Sequence, residues 1–259
     1  MEHVSVTRTD GVGRIEMDRP ESNNSLNPAM SEELHEAAID LVEDDAIRCI
    51  VLTGSGQVFN TGADLGALSA DAGDAALLRS MAHQLHGTVS QLHRAPKPVV
   101  CGVNGVAAGG GIGLSVCGDI VLAAESARFE FAYPRIGLSA DGGSSYFLPR
   151  LVGLRRAQEI AFRDEPVGAE EAVEIGLATE AVPDDAFEER LAEEAARLAD
   201  GPTLAHAATK ALLRQSFDRQ LDEQMATEAS TIAGLAGTDD YQRGIEAFFA
   251  KEPADFQGE

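Results

Sequence analysis

Between Pro98 and Gly118 the chain runs for 21 residues without a charged side chain. A helix of that length could cross a bilayer. Seven of those residues are glycine, however, and one is Asn104, which would leave a membrane helix thinly packed and polar. A buried strand, a tight loop and a buried helix make better use of each glycine. Val99 to Val103 therefore reads as strand, Asn104 to Gly111 as loop, and Ile112 to Cys117 as helix. A segment like this must be covered on every side, so the remaining sequence has to supply a large core. At 259 residues it can do so, as one large domain or as a core with a smaller appendage.

The flanking sequence supports an α/β core. Val4 to Arg8 and Arg14 to Met17 alternate around Asp10-Gly11, the pattern of a hairpin. Asn27-Pro28 then caps a helical repeat of Met30, Leu34, Ala37, Ala38 and Leu41. Cys49 to Leu52 is a strand, Leu77 to Leu92 a helix and Ile120 to Ala123 a further strand, so a strand, strand, helix unit recurs with crossover connections. Beyond Thr179 the stretches 184–198, 203–215, 221–235 and 241–249 carry helical periodicity. Gly201-Pro202 is the strongest breaker among them. The expected division is a core over residues 1–200 and an all-helical C-terminal region over 201–259.

Lys and Arg number 20 against 43 for Asp and Glu, a formal charge of −23, which excludes non-specific binding to nucleic acid. With 44% hydrophobic residues the chain folds rather than remaining an acidic disordered polymer. Lys97, Lys210 and Lys251 are the only lysines. Scarce lysine with excess carboxylate suits a high-salt cytoplasm, where screening removes the self-repulsion. Cys49, Cys101 and Cys117 are odd in number and show no C-x-x-C spacing, so they read as buried thiols in a reducing compartment. No basic stretch followed by an apolar one opens the sequence, so a cytoplasmic location without membrane attachment is expected.

Phosphate-loop motifs are absent, and Gly113-Leu-Ser115 and Gly137-Leu-Ser139 each lack the final glycine of a hydrolase elbow. His83 and His86 lie three apart on a helix, but without a third ligand they read as pocket lining or surface. The informative pair is Phe59-Asn-Thr-Gly62-Ala63-Asp64-Leu65 and Asn104-Gly-Val-Ala-Ala-Gly109-Gly110-Gly111, each directly after an apolar strand. Small residues at strand ends let a ligand atom reach backbone N–H groups, and the second loop also opens a helix. Two such amides converging on a carbonyl oxygen make an oxyanion hole.

On these loops, with Asp18-Arg19-Pro20-Glu21, Asn24-Ser-Leu26, Asp119-Ile120, Ala127-Arg128-Phe129 and the closing Phe248 to Phe256 stretch, the chain resembles the enoyl-CoA hydratase/isomerase (crotonase) superfamily essentially end to end. The resemblance implies a spiral of repeated β-β-α units, a helical C-terminal region used to form a homotrimer or homohexamer, and an acyl-CoA thioester as ligand. It puts the oxyanion amides on Ala63 and Gly110, with Gly62, Asp64, Leu65, Gly109, Asn24, Leu26 and Tyr133 around the substrate and Arg19 and Lys251 as basic contacts for coenzyme A. Ser22, Gly66 and Glu252 stand where such members are often basic.

Members that hydrate double bonds carry two glutamates where this sequence has Gly113 and Tyr133. Glycine moves no proton, and a tyrosine with a pKa of ~10 is a poor base near neutrality. Asp141, where some isomerases of the family have an aspartate, is the carboxylate that remains, unless it serves only to cap the helix after Gly142-Gly143. Glu130 is expected to face away from Tyr133 in an extended Phe129 to Tyr133 segment. The sequence thus points to double-bond migration in an enoyl-CoA, with neither metal nor redox cofactor. A hydratase using Asp141 and water, or a non-catalytic acyl-CoA-binding protein, are the alternatives.

Overall fold

The computed structural model describes residues 1–259. It opens with β1 (Val4–Thr9) and β2 (Val12–Met17), antiparallel about Asp10-Gly11 as the sequence predicts. In α1 (Pro28–Glu43), Asn27 Oδ1 accepts from the Met30 amide at 2.7 Å while Pro28 fills a position with no donor to lose.

Three consecutive units then follow one plan. The first is β3 (Cys49–Gly54), β4 (Val58–Asn60) and α2 (Asp74–Arg94). The second is β5 (Val99–Val103), β6 (Val106–Ala108) and α3 (Gly110–Val116). The third is β7 (Ile120–Ala124), β8 (Arg128–Glu130) and α4 (Ser144–Leu151). The longer strand of each unit joins a six-stranded sheet and the shorter one a four-stranded sheet. β3, β5 and β7 are parallel neighbours, and so are β4, β6 and β8. This is the expected spiral of β-β-α units. Every residue of β3 and β5 is buried, which is why both read as unbroken apolar runs.

The charge-free segment is thus β5, β6 and α3, and no helix is long and apolar enough to cross a membrane. The three cysteines are free and buried.

After α4 come α5 (Gly153–Arg163), β9 (Val167–Gly168), α6 (Ala169–Glu174) and β10 (Glu180–Val182). β10 closes the large sheet beside β7, a strand hidden in the sequence by the helical texture beyond Thr179. The chain ends with α7 (Phe187–Ala199), α8 (Thr203–Gln215), α9 (Leu221–Leu235) and α10 (Asp239–Ala250). The end of the chain folds back on the core, where Arg48 donates to the carbonyls of Gly201 and Phe256 at 2.6 and 2.9 Å.

One local expectation fails. Residues 129–133 are not extended throughout: β8 stops at Glu130, Ala132 is left-handed at φ 60°, and a 3-10 turn covers Tyr133–Ile136. Pro134, which cannot donate to a ladder, and the Arg135 contacts described below favour the turn over strand.

Candidate active site

β4, β6 and β8 end side by side, and the loop leaving each carries one part of the site. From β4 the chain turns at Asn60, which is fully buried. Its Nδ2 donates to the Asn24 carbonyl at 2.6 Å and its Oδ1 accepts from the Gly62 amide at 2.8 Å. The following residues zip against Leu26: the Leu26 amide donates to Gly62 O at 2.7 Å and the Asp64 amide to Leu26 O at 2.8 Å. The Ala63 amide takes part in none of these turn bonds.

From β6 the chain enters α3 through Gly109, whose amide donates to Glu130 O at 3.0 Å and so ties the second loop to the third. The first and second loops touch backbone to backbone. Gly62 has φ +78°, and a Cβ there would stand 3.0 Å from both Ala108 O and Gly110 N. No larger residue allows that approach.

The third loop, after β8, brings Tyr133 and Asp141 back over α3. Here the close approach is at Gly113, where a Cβ would stand 1.9 Å from Gly142 O. The position at which hydratases carry a glutamate is therefore roofed by the backbone of the residue after Asp141. No side chain fits between them.

Leu26, Ala63, Gly110, Tyr133 and Asp141 come together on one cleft of about 300 Å³, with Leu78, Met81, Leu85 and Leu138 making it mostly apolar. Asp141 is the one carboxylate in its lining. Its side chain does not cap α4, whose N-cap is Gly143 and has no side-chain cap; only the Asp141 carbonyl serves there, accepting from Ser144 N at 3.1 Å and Ser144 Oγ at 2.6 Å. Instead, the Asp141 carboxylate is hydrogen-bonded through Oδ1 to His86 Nε2 of α2, and Oδ2 has no hydrogen-bond partner. Tyr133 is buried, and burial, reinforced by the Asp141 charge, pushes its hydroxyl up to about 12, so it stays protonated at neutral pH.

The other acids nearby are engaged elsewhere. Glu130 pairs with Arg135 at 2.7 Å, and Arg135 also holds Asp164 at 2.6 Å. Asp64 accepts from the Gly66 amide at 3.0 Å and from Arg19 at 3.1 Å. Arg19, expected on a phosphate, spends its fork within the chain, donating also to Ser25 O at 2.6 Å. Asn24 likewise braces rather than lines the cleft: its Nδ2 donates to Ser55 O and Val58 O at 2.9 and 2.7 Å and its Oδ1 accepts from Arg19 N at 2.8 Å. Leu65 is exposed and lies outside the cleft lining. Lys251 is the left-handed cap of α10 and lines no part of the cleft. His86 is the site residue that the sequence placed only as pocket lining or surface; its three-residue spacing from His83 was the available signal. No third ligand joins the two histidines.

A spiral of β-β-α units that brings two small-residue loops and one carboxylate to an apolar cleft is the arrangement on which the comparisons with known proteins bear. This chain belongs to the enoyl-CoA hydratase/isomerase family, whose sequence profile matches residues 7–259. It is 41% identical over 250 residues to a probable enoyl-CoA hydratase of Rhodobacter capsulatus, covering 96% of each chain. It is 36% identical to the 1,2-epoxyphenylacetyl-CoA isomerase of Escherichia coli, covering 100% of this chain and 99% of that one. A solved enoyl-CoA hydratase of Bacillus anthracis superposes with a TM-score of 0.93 at 30% identity, covering 99% of this chain and 100% of the other.

Proposed function

We propose that the chain is an enoyl-CoA isomerase that moves a double bond along the acyl group of a thioester. The observation that carries this reading is that Asp141 is the one carboxylate in the cleft that Ala63 and Gly110 also line. Adding water across a double bond calls for an acid and a base together, whereas moving the bond needs one group that takes a proton and returns it. In a 3-enoyl thioester the free oxygen of Asp141 removes a proton from C2. The C–H electron pair becomes a dienolate whose charge gathers on the thioester oxygen, where the two amides donate to it. The same carboxyl then gives its proton to C4, leaving the double bond between C2 and C3. His86 holds the other oxygen and fixes the carboxylate's orientation.

The proton, the electrons and the double bond all belong to the thioester, so the reaction calls for no metal or redox cofactor. The trans-2-decenoyl-[acyl-carrier-protein] isomerase of Streptococcus mutans, 30% identical over 251 residues, supports this reading. A second reading, hydration by Asp141 and a water held near His86, is favoured by the hydratase name of the Rhodobacter relative. Incubating a 3-enoyl-CoA with the enzyme in heavy water separates them. The isomerase gives 2-enoyl-CoA with little 3-hydroxyacyl-CoA, whereas rapid hydration of crotonyl-CoA without isomerisation overturns it. Thioester binding by calorimetry with neither product would indicate a non-catalytic acyl-CoA-binding protein.

The setting we propose is a high-salt cytoplasm. Residues 1–200 form the core that holds the thioester of the acyl-CoA in this arrangement, and the helical region 201–259 assembles a homotrimer or homohexamer.

A further inference from the structure

Ala140 and Asp141 line a second cavity as well, of about 730 Å³, bounded by the last turns of α2, the start of α4 and the end of α8. It shares these two residues with the apolar cleft, so it lies directly beyond Asp141 from Ala63 and Gly110. One wall is aromatic: His93 and Phe147 meet edge to face at 5.1 Å, and Tyr146 and Phe147 at 5.3 Å. The rest of the lining includes two guanidiniums, Arg94 from α2 and Arg214 from α8.

Carboxylates outnumber basic residues 43 to 20, and arginines such as Arg14, Arg135, Arg156, Arg190 and Arg243 are all ion-paired. Arg94 forms no ion pair or hydrogen bond, and Arg214 makes one long bond, from Nη1 to His93 O at 3.4 Å. Arg79, Arg128 and Arg155 are likewise without an ion pair, but Arg94 and Arg214 are the two arginines that line this cavity. Asp218 also lines the cavity and pairs with neither. Burial and the neighbouring Arg214 and Lys210 charges lower His93, which is therefore neutral near pH 7 and does not compete as a cation.

We propose that this cavity receives the far end of the acyl group and that Arg94 and Arg214 select acyl chains ending in a carboxylate. The inference rests on the acyl-CoA reading above and adds the substrate class. A terminal carboxylate would accept charge-assisted hydrogen bonds from two planar forks that have no carboxylate partner within the protein.

The test compares pairs of 3-enoyl-CoA thioesters of equal chain length, one ending in a carboxylate and one in a methyl group. The wild type should favour the carboxylate by about 10- to 100-fold in kcat/KM. The double variant Arg94→Gln, Arg214→Gln should lose that preference through KM, with methyl-ended turnover within about three-fold and melting unchanged. Equal use of both substrates by the wild type overturns the proposal. So does an equal loss on both in the variant, which would put the arginines on the phosphates of coenzyme A. If the protein turns over neither thioester, the isomerase reading fails separately. Calorimetric binding of the same pair to both proteins then decides the subsite, with tighter binding of the carboxylate-ended thioester that disappears in the variant as the expected result.

Discussion

Asp141 divides its two oxygens between a positioning contact and a free face, so replacing it with asparagine keeps the shape and removes the base. Asp141→Asn should lose at least ~10²-fold in isomerase turnover with an unchanged melting temperature, because the carboxylate caps no helix. Full retained activity would take Asp141 out of the chemistry. Ala63→Pro deletes one amide donor and should lower turnover by roughly 10²–10³-fold in a protein whose circular dichroism and size are unchanged. Asn24 gives the opposite outcome. Asn24→Ala strips the partners from the Ser55 and Val58 carbonyls and should cost roughly 1–3 kcal/mol in urea denaturation, with KM nearly unaffected. The sequence marks Ala63, Gly110 and Asp141 because small residues and a stray carboxylate stand out in a motif. It does not separate Asn24 or Arg19 as braces from residues that touch ligand, since polar side chains of either kind look alike until their partners are known.

At the scale of elements, the decisive contact is α3 against the turn at residues 141–143. Restoring a glutamate at position 113 would not restore hydration, because even its Cβ collides with Gly142 O. Gly113→Ala should lower stability by at least about 1–3 kcal/mol and reduce turnover along with it, since the displaced turn carries Asp141. A variant with normal melting and normal kcat would show that the turn yields freely. The long strands β3, β5 and β7 and the helices α1, α2, α8 and α9 were legible because burial imposes a pattern on consecutive residues. β4, β6 and β8 are three residues each, too short to show a period. The Asp141–His86 pair was hidden for a related reason. It joins residues 55 positions apart, and their meeting depends on where the short strands aim the third loop.

For the whole molecule, electrostatics sets the conditions under which the fold is comfortable. With a charge of −23, the melting temperature should rise as potassium chloride goes from ~0.1 M to ~1 M, and a flat or falling midpoint would argue against a high-salt setting. Two of the three lysines are internal: Lys97 donates to Leu41 O and Asp44 O at the end of α1, and Lys210 to Leu92 O near the end of α2. Both sit where a compact ammonium meets carbonyls at a helix end. The parallel order of β4, β6 and β8 has a consequence for how such a chain changes. Neighbouring strands lie about 4.8 Å apart, so the three loops are presented as adjacent rows. On the proposed mechanism the first two rows grip the thioester and the third brings the acid. Rewriting residues 131–143 alone would exchange the chemistry and leave the grip intact, so a lineage built on this frame can change its reaction by editing one row.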